Sequence, residues 1–262
     1  MNNNVLIIIP TYKRPGVIDK TLKNLIPAIT QNKYIITLCV YDNKSTIETK
    51  NIIESYRENI EESGIKFITI FDEQNIGKAG AITYFKNNIF TKDNYEYVIT
   101  MDNDIVIDLG INLLESIDIA NENIDGDWEM VAPRTPFFTF EHNSLKNSIK
   151  DCVLNDNVIC KIRPSEAISG AIMIMKNTFF DKLNFPLKDI AMLGGDDGYM
   201  CGFAKKKYVL QFIGIDYARH DPLCGGIAIE EIEDEQLKNY QLKKNALRFG
   251  ENIWDFPKDW DG

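Results

Sequence analysis

Apolar residues in the first 110 positions come in short, unbroken blocks, each stopping abruptly at polar sequence. Val5–Ile9, Thr37–Tyr41, Phe67–Phe71 and Tyr97–Met101 are such blocks. They are rich in β-branched and aromatic residues and read as strands buried on both faces. Between them Val17–Ile29, Thr46–Ser63 and Lys78–Asn88 carry apolar positions three and four apart, the spacing of helices with one covered face. Strand and helix alternating in this way predict an α/β fold with a mostly parallel central sheet and crossover helices on both faces.

The pattern changes after residue 110. Leu113–Ala120 reads as a short helix and Met130–Ala132 as a strand, while residues 134–156 form a long aromatic and polar stretch without a period. Strand-like runs return at Ala171–Met175 and Val209–Ile213, with a basic segment from Phe203 to Tyr208 before the second. From Glu230 the chain is acidic, then helical to about Phe249, and it closes on Trp254, Phe256 and Trp260. No repeat or Pro-rich linker divides it. One domain over 1–262 is expected, with 230–262 as a C-terminal helical and acidic extension packed on it.

Parallel sheets collect ligands at the carboxyl ends of their strands. Attention therefore falls on Pro10-Thr-Tyr-Lys-Arg14, Asp42-Asn-Lys-Ser-Thr46, Asp72-Glu-Gln-Asn-Ile-Gly77 and Asp102-Asn-Asp104. In the last of these, side chains at i and i+2 of an extended chain point the same way, so two carboxylates could reach one cation. Asn75-Ile-Gly-Lys-Ala-Gly80 follows a strand and opens a helix, which aims unpaired N–H groups at whatever lies above. Taken singly, each motif is also ordinary turn or helix-cap chemistry.

Composition narrows the class of function. A formal charge of −10 disfavours nonspecific binding to nucleic acid or anionic membrane. No apolar run approaches the length of a transmembrane segment, and Val5–Ile9 is too short and lacks the basic flank of a secretion signal. Five scattered cysteines without a C-x-x-C pair read as reduced thiols, so a cytoplasmic protein is expected. Trp254, Phe256 and Trp260 offer a surface for self-association.

Seven motifs in order carry a resemblance across roughly residues 5–249. They are Ile9-Pro-Thr-Tyr-Lys-Arg14, Tyr41-Asp42 before Lys-Ser-Thr46, Asn75-Ile-Gly-Lys-Ala79, Asp102-Asn-Asp104, Ser169-Gly-Ala171, Gly195-Asp-Asp197 and His220. The series resembles the inverting family 2 glycosyltransferases of the GT-A fold, enzymes that use a nucleotide-diphospho-sugar and a divalent metal.

The resemblance implies a set of roles. Pro10, Thr11, Tyr12, Arg14 and Asp42 would meet the nucleotide, with Asp42 accepting from a uracil-type N–H. Asn75, Gly77, Lys78, Asp102 and Asn103 would line the rest of the donor site, and Gly170 would let donor sugar and acceptor meet. Asp102, Asp104 and His220 would hold Mn2+ or Mg2+, whose charge stabilises the departing diphosphate. Asp197 would be the catalytic base, with Asp196 orienting it or gripping the acceptor. Lys244, in Tyr240-Gln-Leu-Lys-Lys-Asn245, stands where Arg is usual in a C-terminal helix, and so keeps a point charge without a bidentate contact. Two further departures are Asn43, where a second acid is common, and Tyr199, where one version of the family has an acid.

The expected reaction passes a sugar, with UDP favoured as the carrier, to a hydroxyl of a glycan, glycoconjugate or other acceptor. Arg134 to Asp156, with Phe137, Phe138, Phe140 and His142, and the Gly225-Gly226 segment are the expected acceptor wall and lid. Two alternatives stay open. A sugar nucleotidyltransferase would place a glycine-rich loop after the first strand, and Pro10–Arg14 has no glycine. A catalytically silent glycan- or nucleotide-binding module would bind sugar without needing a metal for the donor.

Overall fold

A computed structural model of the chain describes residues 3–30, 33–107, 111–125, 127–134, 150–154, 157–165, 168–185, 196–212 and 218–220. All of these lie in one compact unit, Met1–His220. The expected extension at 230–262, Lys244, the Gly225-Gly226 segment and the aromatic loop residues Phe137 to His142 lie outside the described residues.

The predicted alternation is present. Strand β1 (Asn4–Thr11) leads into α1 (Pro15–Ile29), β2 (Ile35–Asn43) into α2 (Ile47–Ser55) and α3 (Arg57–Glu62), and β3 (Lys66–Asp72) into α4 (Gly77–Asn88). β4 (Tyr97–Met101) then turns into the short β5 (Ile105–Ile107). The second half holds α5 (Glu115–Asn123), β6 (Met130–Pro133), β7 (Lys150–Leu154), β8 (Asn157–Pro164), β9 (Ile172–Lys176), α6 (Asn177–Phe180), α7 (Asp196–Phe203), β10 (Lys207–Phe212) and β11 (Ala218–His220).

Nine strands form one sheet in the order β3-β2-β1-β4-β9-β6-β10-β8-β7. The first four are mutually parallel, as are β6 and β10. β9 runs against both β4 and β6, and β8 runs against both β10 and β7. The sheet is thus mostly parallel, with two reversed strands. A separate two-stranded sheet pairs β11 with β5, setting His220 opposite Ile105.

Helices cover both faces. One core contains Val5, Ile7, Ile9, Leu22, Leu25, Ile99, Met101 and Trp128, where α1 and α5 pack; the other contains Leu6, Ile8, Val98, Met173, Phe85, Phe180 and Met200, where α4, α6 and α7 pack. Successive residues of β1 alternate between the two, and Val5 to Ile9 have no exposed surface. Burying each such side chain stabilises the fold by roughly 1.5–3 kcal/mol, so the unbroken apolar block is what a two-sided layer requires.

Several expectations need correction. The single helix read over Thr46–Ser63 is two, broken at Tyr56, whose hydroxyl donates to the Asp19 carboxylate at 2.8 Å and so is drawn toward α1. The aperiodic stretch 134–156 ends in β7, and β8 follows at once as a hairpin partner; Cys160-Lys161-Ile162-Arg163 has the apolar–polar alternation of a strand with one covered face, which a reading based on unbroken apolar blocks passes over. β5 and β11 are too short for any periodicity to show.

Candidate active site

The carboxyl ends of β1, β2, β3 and β4 meet at one edge of the sheet, and the beginning of the reversed β9 joins them there. The amide of Asp102 donates to the Ala171 carbonyl at 2.9 Å, extending the β4–β9 ladder one step beyond its last pair. This ladder is what brings Gly170 and Asp102, 68 positions apart by number, to one place.

Lys78 is the hub. Carried on the first turn of α4, its Nζ donates to Asp102 Oδ1 at 2.6 Å and to the Gly170 carbonyl at 2.8 Å, and lies 3.1 Å from Asp196 Oδ2. Asp196 is buried, and this charge contact is made without a hydrogen bond to Oδ2. Burial raises the Asp102 carboxyl to about 6, with Lys78 pulling against that and Asp104 and Asp196 adding to it. Burial also works against the charged form of Lys78, but the carboxylates of Asp102 and Asp196 more than reverse it and hold the ammonium above the usual lysine range.

Asp197 stands on the other side of Gly170. A β-carbon added to that glycine would sit 3.0 Å from Asp197 Cβ and 3.3 Å from Lys78 Nζ, so any side chain there would crowd the place where the two approach. Asp196 and Asp197 open α7, a position where carboxylates are favoured by the helix dipole. Asp197 Oδ1 accepts from the Gly198 amide at 2.8 Å. Tyr199 points elsewhere, its hydroxyl donating to the Asn184 carbonyl.

The turn Asp102-Asn103-Asp104 is held from below. Asn103 Nδ2 donates to Thr11 Oγ1 at 2.8 Å, and the Asn103 carbonyl accepts from Thr21 Oγ1 at 2.6 Å. Thr11 is buried, which makes it a support for the acidic turn from the end of β1. Lys13, Arg14 and Lys44 take up left-handed backbone conformations in the loops after β1 and β2, and the Lys13 amide donates to Ser45 Oγ, joining the two loops. Tyr12 is partly exposed beside them, with Lys13 Nζ 5.0 Å from its ring centre.

Asp42, next to last in β2, has no exposed surface, and neither carboxylate oxygen meets a donor in good hydrogen-bond geometry. Burial raises its carboxyl, while Ser45 and Lys50 draw it back. Asn43 beside it serves the fold, since its Oδ1 accepts from the Ile76 amide at 3.1 Å. Asn75 Oδ1 accepts from the Gly77 amide at 3.0 Å, and Gly77 has φ 69°, a conformation other residues reach only with strain. These two side chains fix how α4 begins, and so where Lys78 points.

The structure thus gathers Asp102, Asn103, Gly170, Lys78, Asp196 and Asp197, and places Pro10, Thr11, Asp42, Asn75 and Gly77 along the same edge. His220 is placed by backbone only, one residue beyond the acidic turn in register. Sequence reasoning missed Thr21 and the double engagement of Lys78; no local signal marks contacts that span 82, 24 and 118 positions in number.

Asp102, Asp104, Asp196 and Asp197 with Lys78 leave three negative charges on this edge when all are ionised. Such a cluster repels a diphosphate unless a cation joins it. Asp102 and Asp104 are the hard oxygen donors that Mg2+ or Mn2+ prefer, and Asp104 is near enough to raise the Asp102 carboxyl. Among the described residues no three acidic, histidine or cysteine side chains close on a single metal position, and the His220 side chain is not one of those described.

Residues 6–128 match the family model Glycosyl transferase family 2. Comparison with curated proteins gives no match. Among solved structures, Staphylococcus aureus TarS 1-349 in complex with UDP superposes with a TM-score of 0.56 at 17% identity, over 82% of this chain and 60% of that one. The mannosyltransferase PcManGT from Pyrobaculum calidifontis, in complex with GDP-Man and Mn2+, gives 0.57 at 16% identity over 96% and 64%. GalNAc-T7 with UDP, GalNAc and Mn2+ gives 0.57 at 12% identity over 83% and 43%. The chain therefore spans about 60% of the TarS 1-349 structure it matches. The fold is GT-A.

Proposed function

From a chain that carries a glycosyl transferase family 2 domain over residues 6–128, we propose an inverting, metal-dependent glycosyltransferase that moves a sugar from a nucleotide diphosphate, with UDP favoured, to an acceptor hydroxyl. The observation that carries it is the cluster around Gly170, where Lys78 joins Asp102 to Asp196 and Asp197 stands within van der Waals reach of the glycine. Donor and acceptor groups need such a gap between them to react.

Asp42 supports the nucleotide assignment, because a buried acceptor with no donor in good hydrogen-bond geometry, only Ser45 and Lys50 nearby, suits the N–H edge of a base. The UDP and GDP-Man found in structures of this fold fit that reading. Asp102 and Asp104, with His220 beside the turn, would hold Mn2+ or Mg2+. When bound, the metal supplies positive charge to the departing diphosphate. Asn103 and Thr11 keep the turn in place for it, and the start of α4 offers N–H groups to anionic oxygens.

Asp197 takes the proton from the attacking hydroxyl, on the face opposite the leaving group. Asp196 is held to Lys78 and positions the start of α7. Asp197 is therefore the freer of the two acids to act as base. We read the whole chain as one GT-A domain with an acidic helical extension, working in the cytoplasm.

The test compares Asp104→Ala and Asp197→Ala with the wild type in UDP-sugar turnover and in UDP binding with Mn2+ present. Loss of a general base typically costs about 10²–10⁴ in rate, so Asp197→Ala should turn over at least about a hundredfold more slowly while still binding UDP. Asp104→Ala should lose Mn2+-dependent UDP binding itself. Full activity in both variants would overturn the mechanism.

A further inference from the structure

Resting on the reading of Asp197 as the residue that faces the acceptor, we infer that the acceptor is anionic and lies along a basic row, Arg134, Lys161 and Arg163, on the catalytic edge of the sheet.

The row follows from strand register. Val209 pairs with Ala132 on one side and with Arg163 on the other, and Gln211 pairs with Lys161. The β6–β10 ladder continues one residue further, since the Arg134 amide donates to the Leu210 carbonyl at 2.8 Å, and this sets Arg134 beside Gln211. Side chains alternate between faces along a strand. Leu210, Cys160 and Ile162 belong to the core under α1 and α5, whereas Ala132 and Val209 belong to the core under α4 and α7. Arg134, Gln211, Lys161 and Arg163 consequently lie on the α7 face, the face on which Lys78 meets Asp102.

The row also shares the catalytic end of the sheet. Asp102 and Ala171 stand at the carboxyl end of β4, Arg134 follows the carboxyl end of β6, and Gln211 is near that of β10. With strands about 4.8 Å apart, Arg134 is roughly 10 Å from Asp102, two strands away, and Lys161 is roughly 19 Å away, four strands along. The donor's own strands, β1 to β3, lie in the opposite direction from β4. An acceptor whose hydroxyl meets Asp197 at Gly170 would thus extend over this row.

Three features mark the row as a binding surface. It concentrates positive charge in a chain of net charge −10. No ion pair to Arg134, Lys161 or Arg163 occurs among the described residues, although Asp151 stands directly opposite Lys161 in β7. Arg163 Nε and Gln211 Oε1 are buried without a hydrogen-bond partner. A buried donor and a buried acceptor left unpaired are costly, and a ligand bearing both anionic oxygens and hydroxyls answers both. A glycan or polyol chain with phosphate or carboxylate groups has that chemistry.

The full chain, with Mn2+ and UDP, is titrated into three fluorescent oligomers: a poly(glycerol phosphate), an oligogalacturonate and neutral maltohexaose. One anionic oligomer should bind at least about tenfold tighter than maltohexaose and weaken as salt is raised. The phosphate and carboxylate arms identify which anion is read. Arg134→Gln with Lys161→Gln and Arg163→Gln should lose at least about tenfold in that affinity. Arg163→Lys with Lys161→Arg should retain most of it, and Lys92→Gln, an exposed lysine elsewhere, should change nothing. Asp151→Asn should bind the anion tighter, a gain that misfolding cannot produce. Equal binding of neutral and anionic oligomers, no binding of either anion, or an unaltered triple variant would overturn the inference. UDP binding in the same samples keeps the two ideas apart: its absence defeats the glycosyltransferase reading, whereas its presence without anion binding defeats only this one.

Discussion

Gly170 and Asp197 are so close that a single added carbon on the glycine would stand 3.0 Å from the aspartate Cβ and 3.3 Å from Lys78 Nζ. Gly170→Ala should still fold, since its neighbours need to give by only a few tenths of an ångström, Lys78 along its flexible chain and Asp197 with the first turn of α7. The strain of such overpacking is about 1–3 kcal/mol, and if it is taken up at Asp197 and Lys78, transfer should slow by about tenfold or more. Steady-state turnover beside a UDP titration checks this. Wild-type turnover would show that the gap has no bearing on catalysis.

Lys78 joins the buried carboxylate of Asp196 to the partly buried one of Asp102, far apart in sequence but adjacent in space. Lys78→Met leaves both without a counter-charge, and removing one partner of a buried pair typically destabilises by about 3–5 kcal/mol. Adding Asp196→Asn to that variant should recover part of the loss, because one of the stranded charges disappears. Urea unfolding of the wild type, the single and the double variant measures both effects. Equal stability of all three would remove Lys78 from its place as hub.

Asp42 should trade stability for binding. Burial raises its carboxyl above the usual value, so the folded chain holds the proton more tightly than the unfolded chain does. Its contribution is most favourable below the unfolded value of about 3.9 and is lost as pH rises through the higher folded value. Asp42→Asn has no charge to bury, so its stability relative to the wild type should improve as pH climbs from acid to neutral, while UDP affinity falls. Thermal melts across that range, with and without UDP, provide the check. A stability difference that stays flat with pH would contradict the burial argument.

A smaller effect is expected at the loop leading into α4. The Tyr41 hydroxyl donates to Asp72 Oδ2, and this bond, followed by the Gln74 amide, holds the Asp72 carboxyl below the usual range. A carboxyl lowered by folding stabilises above its unfolded value and loses that contribution as pH falls through the folded one. Tyr41→Phe should cost about 1 kcal/mol near neutral pH and correspondingly less in strong acid. Denaturant midpoints at the two pH values would detect it.

The first half of the fold was legible because its strands are covered on both sides. Val5–Ile9 and Tyr97–Met101 read as near-continuous apolar runs, and the polar residues after each run mark the edge that carries the candidate site. The second half was less so. β8 alternates Lys161 and Arg163 with Cys160 and Ile162 rather than forming an unbroken apolar block, and its pairing with β10 depends on residues 44–52 positions away by number, which no local pattern encodes. In the candidate site the acids stood out by type and spacing. Their organisation did not, because Lys78, Gly170 and Asp196 come together only through the antiparallel run of β9 beside β4.

That reversed strand is also a seam. The family match ends at residue 128, just before β6, while β9 is inserted between β4 and β6. On the function proposed above, the strands on one side of it would grip the activated nucleotide, and those on the other would be free to change with the acceptor. If that division holds, exchanging the β6–β10–β8 portion between proteins of this fold, with the seam left intact, should alter what is accepted and leave the nucleotide side unchanged.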